Sequence, residues 1–268
     1  MRLPKLLLLF PIALMGLERM PWYCNVYEFT FTPTYTYSRY PSVNHGVPHH
    51  QSPSHDHLLS FDLAFPPTPE WEFDAEIEFA DTPRQSMGLR SIAAQARYLW
   101  LNDVIGDPVS FTTGAAIRGV SKHSVRDVSS PYHSYYNFEL NSAIGREWDR
   151  GFDWQFRSYG GGAIGIANHG YPWLSLFTMV EGQFHSNRLG LFLDSYIGFG
   201  HKETVKINHF HGYGSIEHRN IDLGLKYTYA FDIWGHLSLA YTRRLFAHSF
   251  PEKVNFFTIS YMLPFSAF

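Results

Sequence analysis

The sequence predicts an all-β chain folded as an antiparallel barrel of about twelve strands, and three observations support this fold class. Apolar and polar residues alternate with a period of two in one segment after another, and turn residues separate the segments. Aromatic residues make up 18% of the chain and charged residues only 17%, and aromatic residues are enriched in strands. The connections between the segments are alternately short and longer, as in a barrel built from successive hairpins.

Twelve segments carry the alternating pattern. They cover residues 24–38, 57–65, 70–80, 87–101, 108–119, 132–147, 152–166, 172–185, 188–201, 215–230, 233–246 and 254–268. The third is the clearest, because Trp71, Phe73, Ala75, Ile77 and Phe79 alternate with Glu72, Asp74, Glu76 and Glu78. Since successive side chains of a strand point to opposite faces, each strand has one apolar face and one polar or charged face.

The last segment is the closing strand. Phe257, Ile259, Tyr261, Leu263 and Phe265 share one wholly apolar face, and the chain ends at Phe268. This strand resembles the final strand of bacterial outer-membrane β-barrels, in which a terminal Phe is the assembly signal. Pro264 cannot donate a hydrogen bond to a sheet, so we expect pairing to stop near Leu263.

The resemblance implies a transmembrane barrel in a bacterial outer membrane, with short periplasmic turns and longer outer loops. The implied partners are outer-membrane lipid and the outer-membrane assembly machinery. Charged residues at strand centres must face water or one another, because an isolated buried charge is very costly. A soluble lipocalin-like barrel, apolar inside and polar outside, would show the same alternation. Five aromatic residues near the turn ends are the expected interface girdle: Trp71, Trp100, Trp154, Phe184 and Trp234.

The N-terminus predicts a division into a signal peptide, residues 1–23, and a barrel, residues 24–268. A short basic start is followed by an apolar run from Leu6 to Leu17, which is a secretory pattern and too short for a spanning helix of about 20 residues. An uncleaved N-terminus is the alternative.

The single cysteine, Cys24, excludes an intramolecular disulfide, and the net charge of −3 argues against a nucleic-acid partner.

The charged strand faces predict the function. The residues expected to line the lumen and set its selectivity are Glu72, Asp74, Glu76, Glu78, Arg97, Arg118, Arg157 and Arg244. Charges that face each other across a narrow lumen would select small polar solutes, which favours a narrow channel for their passive passage. In the alternative, the same charges form ion pairs and fill a closed structural barrel.

Histidines in the first outer loop and at its edge suggest a second, alternative function. His45, His49, His50, His55 and His57 could capture a divalent ion such as zinc or copper, since imidazole is a common ligand of both. No other cofactor is predicted. Two alternatives to metal capture stay open. Either the histidines serve only to make the loop polar, or the long outer loops form an adhesive surface.

No enzymatic function is predicted. A twelve-strand outer-membrane phospholipase carries His-x-Ser on its lipid-facing wall, and the nearest candidates here are His133 and Ser134. Adjacent residues of a strand point to opposite faces, so this pair cannot form a nucleophile–base contact.

Overall fold

A computed structural model of the chain, which describes residues 17, 19–48, 53–150 and 154–266, shows a closed antiparallel barrel of twelve strands. The strands are β1 Glu28–Tyr40, β2 Ser54–Phe65, β3 Trp71–Thr82, β4 Gln85–Leu101, β5 Ser110–Val120, β6 Tyr136–Asp149, β7 Trp154–Ala167, β8 Trp173–Phe184, β9 Asn187–Phe199, β10 Glu217–Ala230, β11 His236–His248 and β12 Asn255–Ser266. Each strand pairs with its neighbours in sequence, and β12 pairs with β1 to close the barrel. The predicted fold class and strand count are confirmed.

The alternation places apolar side chains on the outer wall and polar side chains inside. On β3, Phe73 is 48% exposed while the adjacent Glu72 is 1% exposed, and on β12 Phe257 and Ile259 point outward. A soluble barrel would show the reverse arrangement. An apolar outer wall on a closed barrel requires a lipid environment, because a contiguous apolar surface of this size is unfavourable in water.

The connections alternate in length as the sequence predicts, except between β3 and β4. The turns at one end lie at 66–70, 102–109, 185–186 and 231–235, and the connections at the other end include the long segments 121–135 and 200–216. One connection is shorter than expected: β3 and β4 extend to a tight turn at 83–84. The Thr82 side chain stabilises this turn by accepting hydrogen bonds of 3.1 Å from the amides of Arg84 and Gln85.

Pairing of the closing strand extends further than expected, and the prediction that it stops near Leu263 is wrong. On the β1 side the register continues through Pro264 to Ser266, which pairs with Glu28. On the β11 side it ends at Met262. A proline is tolerated near the end of such a strand because few ladder bonds there depend on its missing N–H.

The outer connections fold over the mouth of the barrel. Residues from 121–135, 200–216 and 249–254 pack with the upper ends of the strands into the main buried cluster, which includes Tyr40, Val128, Trp173, Tyr213 and Phe250. The hydrophobic core therefore lies at the outer end of the lumen, beneath the loops.

No helix in the described part of the chain is long and apolar enough to cross a membrane. Most of the predicted signal peptide, residues 1–16 and 18, lies outside the described residues, as does the terminal Phe268. Processing after residue 23 stays a prediction.

Candidate functional site: the charged wall, the hydroxyl wall and the cavity

The acidic residues of β3 form ion pairs with arginines of the two following strands. Glu72 lies directly opposite Arg97 of β4 and accepts a hydrogen bond from its guanidinium. Glu76 binds Arg118 of β5, which reaches it across β4 because the residue between them is Ala93. Short side chains at such positions let long ones meet across a strand. We call the inner faces of β3, β4 and β5 the charged wall.

The charged wall contains an arginine, Arg90, whose inward position is not predicted by the alternation of the strand. Arg90 is buried and binds Glu78 at 3.1 Å, although the alternation of β4 assigns it to the outer face. The register between β3 and β4 shifts at Glu78 and Phe79, and this bulge turns both Arg90 and Ser91 inward. A bulge leaves no clear signal in an alternation pattern, so sequence reasoning missed this residue.

The remaining predicted lumen residues have partners of their own. Arg97 Nε lies 3.6 Å from Asp74, Arg157 lies 2.5 Å from Glu147, and Arg244 binds both carboxylate oxygens of Asp222 at 2.7 and 2.8 Å. All eight predicted residues point into the barrel and take part in ion pairs. These pairs run along the wall, between strands that are adjacent or separated by one strand, and do not face each other across the lumen.

The chain before β1 lies against the half of the charged wall that is nearer the turn at 102–109. The Met20 carbonyl accepts a hydrogen bond of 2.6 Å from Arg97, and Trp22 donates one of 2.8 Å to Asp103 in that turn. Trp22 also packs edge-on against Tyr159. Burial would raise the pKa of Asp103, but the hydrogen bonds from Ser110, the Glu147 amide and Trp22 lower it below its usual range. The ionised carboxylate therefore anchors this segment.

The side of the lumen that adjoins the charged wall at β2 is lined by hydroxyl groups. They come from β1, β2, β11 and β12: Thr34, Thr36, Ser38, Ser60, Ser238, Thr242, Thr258 and Ser260. Thr36 and Thr258 bond to each other across the closing pair at 3.0 Å. We call this surface the hydroxyl wall. It borders a cavity of about 340 Å³, which the charged side chains of Glu76, Glu78 and Arg244 also line.

Two buried histidines lie in the aromatic cap over the lumen, which we define as the buried rings of Trp173, Tyr196, Tyr213 and Phe250. His133 stacks on Trp173, with ring centroids 4.1 Å apart, and His218 stacks on Phe250 at 5.3 Å. The two imidazoles lie 5.1 Å apart. His133 Nδ1 is 2.8 Å from the hydroxyl of Tyr196, whereas its Nε2 has no hydrogen-bond partner among the described residues. Burial, and then the proximity of His218, hold the pKa of His133 well below its ordinary value of 6.5.

The predicted metal-binding histidines do not assemble in the described part of the first outer loop. His55 and His57 lie on the outer face of β2, where each bonds to a tyrosine hydroxyl at 2.7 Å. His45 contacts Ser249 and the ring of His248 instead. His49 and His50 lie outside the described residues. Among the described residues no group of three or more His, Cys, Asp or Glu could hold a metal ion, and metal capture stays a prediction.

Comparison with known proteins shows which proteins share this fold. No protein-family model matches the chain, and no curated protein matches it. An outer-membrane channel from Pseudomonas putida F1 is similar in structure, with a TM-score of 0.63 and 12% identity over 91% of this chain and 98% of that one. The NanC porin gives a TM-score of 0.50 at 10% identity, over 87% of this chain and 98% of that one. The chain has the fold of bacterial outer-membrane β-barrels. Its apolar outer wall and its closed twelve-strand topology agree with a location in that membrane.

Proposed function

We propose that this barrel is a narrow channel for the passive passage of small polar solutes, and that they pass along the hydroxyl wall. The cavity beside that wall carries the proposal. Its hydroxyl groups can exchange hydrogen bonds with a solute and with water, so that a polar solute keeps its hydrogen bonds as it loses hydration.

The pairing of the charges on the charged wall favours uncharged solutes. An ion pair within the wall presents little net charge to the lumen, so the charged wall exerts a weaker field than separate charges would. Of the eight predicted selectivity residues, Glu76, Glu78 and Arg244 border the cavity and would tune its selectivity. In this proposal Glu72, Asp74, Arg97, Arg118 and Arg157 mainly hold the walls together.

The test is solute entry into liposomes that contain the refolded barrel, together with its conductance in a planar bilayer. Thr258→Trp places a large side chain in the cavity, whereas Ile259→Trp, at the next position of β12, places the same side chain in the lipid-facing wall. Heat-dependent gel mobility would confirm that both variants fold.

We expect Thr258→Trp to slow the entry of small sugars and amino acids and to reduce conductance, and Ile259→Trp to leave both near the wild-type values. Equal passage through all three proteins would show that solutes do not use this cavity. Absence of passage through the folded wild type would contradict the channel itself.

A further inference from the structure

Three cationic side chains lie close together on the outside of the barrel, at its outer rim. Arg39 of β1 pairs with Asn255 of β12, which pairs on its other side with Arg243 of β11. Arg39, Asn255 and Arg243 point to the outer face. Their neighbours in sequence are buried inside the barrel: Ser38, Phe256 and Thr242. Lys253, just before β12, completes the group. We call Arg39, Arg243 and Lys253 the rim cations.

The rim cations lie above an aromatic row and a mainly aliphatic row on the same three strands. The next outward row toward the periplasm contains Tyr37, Phe257 and Tyr241, and the row after it contains Tyr35, Ile259 and Leu239. Aliphatic, aromatic and cationic side chains in this order match the acyl chains, the interface and the headgroups of a lipid leaflet. The rim cations are therefore at headgroup depth.

The rim cations have no acidic partner within ion-pair distance in the described part of the chain. Arg219 on the outer face of β10, also near the outer rim, differs in this respect because it is paired with Glu217. The rim cations instead border a groove of about 430 Å³ whose wall is completed by Tyr40, Pro41, Pro53 and Asn255. Like charges gathered around an open groove repel one another, so an anion that bridges them is favoured.

We propose that this groove binds the phosphate groups of lipid A, the phosphorylated glycolipid of the outer leaflet. Guanidinium groups match phosphate oxygens in a bidentate geometry, and a lysine ammonium adds a third donor. The groove opens beside lipid, where a headgroup is present at high local concentration. A phosphate held by both Arg39 and Arg243 spans β12, so the bound lipid also links the first strand to the last two and strengthens the closure of the barrel.

The experiment uses the full barrel in vesicles and measures lipid retention by native mass spectrometry. The probes are lipid A with both phosphates, dephosphorylated lipid A and inorganic phosphate alone. The variant Arg39→Gln/Arg243→Gln/Lys253→Gln removes the rim cations, and Arg219→Gln is the matched control on the same rim. All these side chains are exposed, so the variants should fold.

We expect the triple variant to bind diphosphorylated lipid A about tenfold or more weakly than wild type, as the loss of charge-assisted hydrogen bonds implies. Arg219→Gln should bind it as wild type does, and dephosphorylated lipid A should not distinguish wild type from the triple variant. Equal binding of lipid A by wild type and triple variant would overturn the proposal. Retention of inorganic phosphate by the wild type to the same extent as lipid A would also overturn it, since the groove would then be a site for the free ion.

Discussion

The charged wall and the hydroxyl wall face the same lumen, and both consist of the inward-facing residues of their strands. Their side chains fill the lumen to different extents. On the charged wall, long side chains such as Arg97 and Arg118 bind acidic partners on the same wall, and the chain before β1 packs over Arg97. On the hydroxyl wall, short side chains such as Thr36 and Thr258 bond to each other. The volume that long side chains would occupy remains as the cavity.

This difference shows that a polar lumen is not by itself an open one. Charges inside a barrel must be paired, because an unpaired buried charge costs several kcal/mol. A long side chain that extends along the wall to reach its partner on another strand does not extend into the lumen. Hydroxyl groups tolerate either a neighbour or water. The two walls should therefore differ in their contribution to the free energy of unfolding as they do in geometry.

The largest effect is expected on the charged wall. Arg97→Ala leaves Glu72 and Asp74 buried without their cation and should lower the free energy of unfolding by about 3–5 kcal/mol. Urea-induced unfolding in lipid or detergent would measure it. The double variant Arg97→Met/Glu72→Gln, which also removes the stranded charge of Glu72, should recover much of the loss. If the single variant were as stable as wild type, the buried pairs would not hold the wall.

Acid pH should weaken the aromatic cap that covers both walls. The pKa of His133 is well below 6.5 in the folded protein, so as the pH falls this imidazole takes up a proton in the unfolded state before it does so in the folded state. The contribution of the neutral imidazole to the free energy of unfolding is fully present above about pH 6.5. It is lost as the pH falls toward the folded pKa, at up to about 1.4 kcal/mol per pH unit. Unfolding measured between pH 7.5 and 5 should show this slope, and His133→Gln should make it shallower. An unchanged slope in the variant would assign the effect to other groups.

A smaller effect is expected on the hydroxyl wall. Thr36→Val removes the hydrogen bond to Thr258, whose hydroxyl still borders the cavity and can bond to water there. The free energy of unfolding should fall by only about 0.5–1.5 kcal/mol, as read from the same urea titration. A loss as large as that of Arg97→Ala would mean that the hydroxyl wall is as tightly coupled as the charged one.

The smallest effect is expected outside both walls. Arg219 pairs with Glu217 on the outer face, where the arginine side chain is 55% exposed. Exposed pairs contribute about 0.2–1 kcal/mol, so Arg219→Gln should barely move the urea midpoint. A shift close to that of Arg97→Ala would show that burial does not separate the two kinds of pair.

Most of the barrel could be predicted because each strand carries its own signal. The alternation along β3 places Phe73 outside and Glu72 inside whatever the neighbouring strands do, and the same holds for Thr258 and Ile259 on β12. The alternation fails where a strand departs from its regular geometry. Arg90 points inward because of a bulge, and the closing strand continues past Pro264 because its β1 partner extends that far.

The sequence by itself determined the all-β class, the twelve strands, the alternation of the connections and the inward position of all eight predicted lumen residues, because a period of two is a local property of the chain. Only the tertiary structure decided which charges pair, that the hydroxyl groups gather beside one cavity, that His133 and His218 meet under the loops, and that the rim cations share a groove. These arrangements join residues far apart in sequence. They depend on strand register and barrel closure, which no single strand encodes.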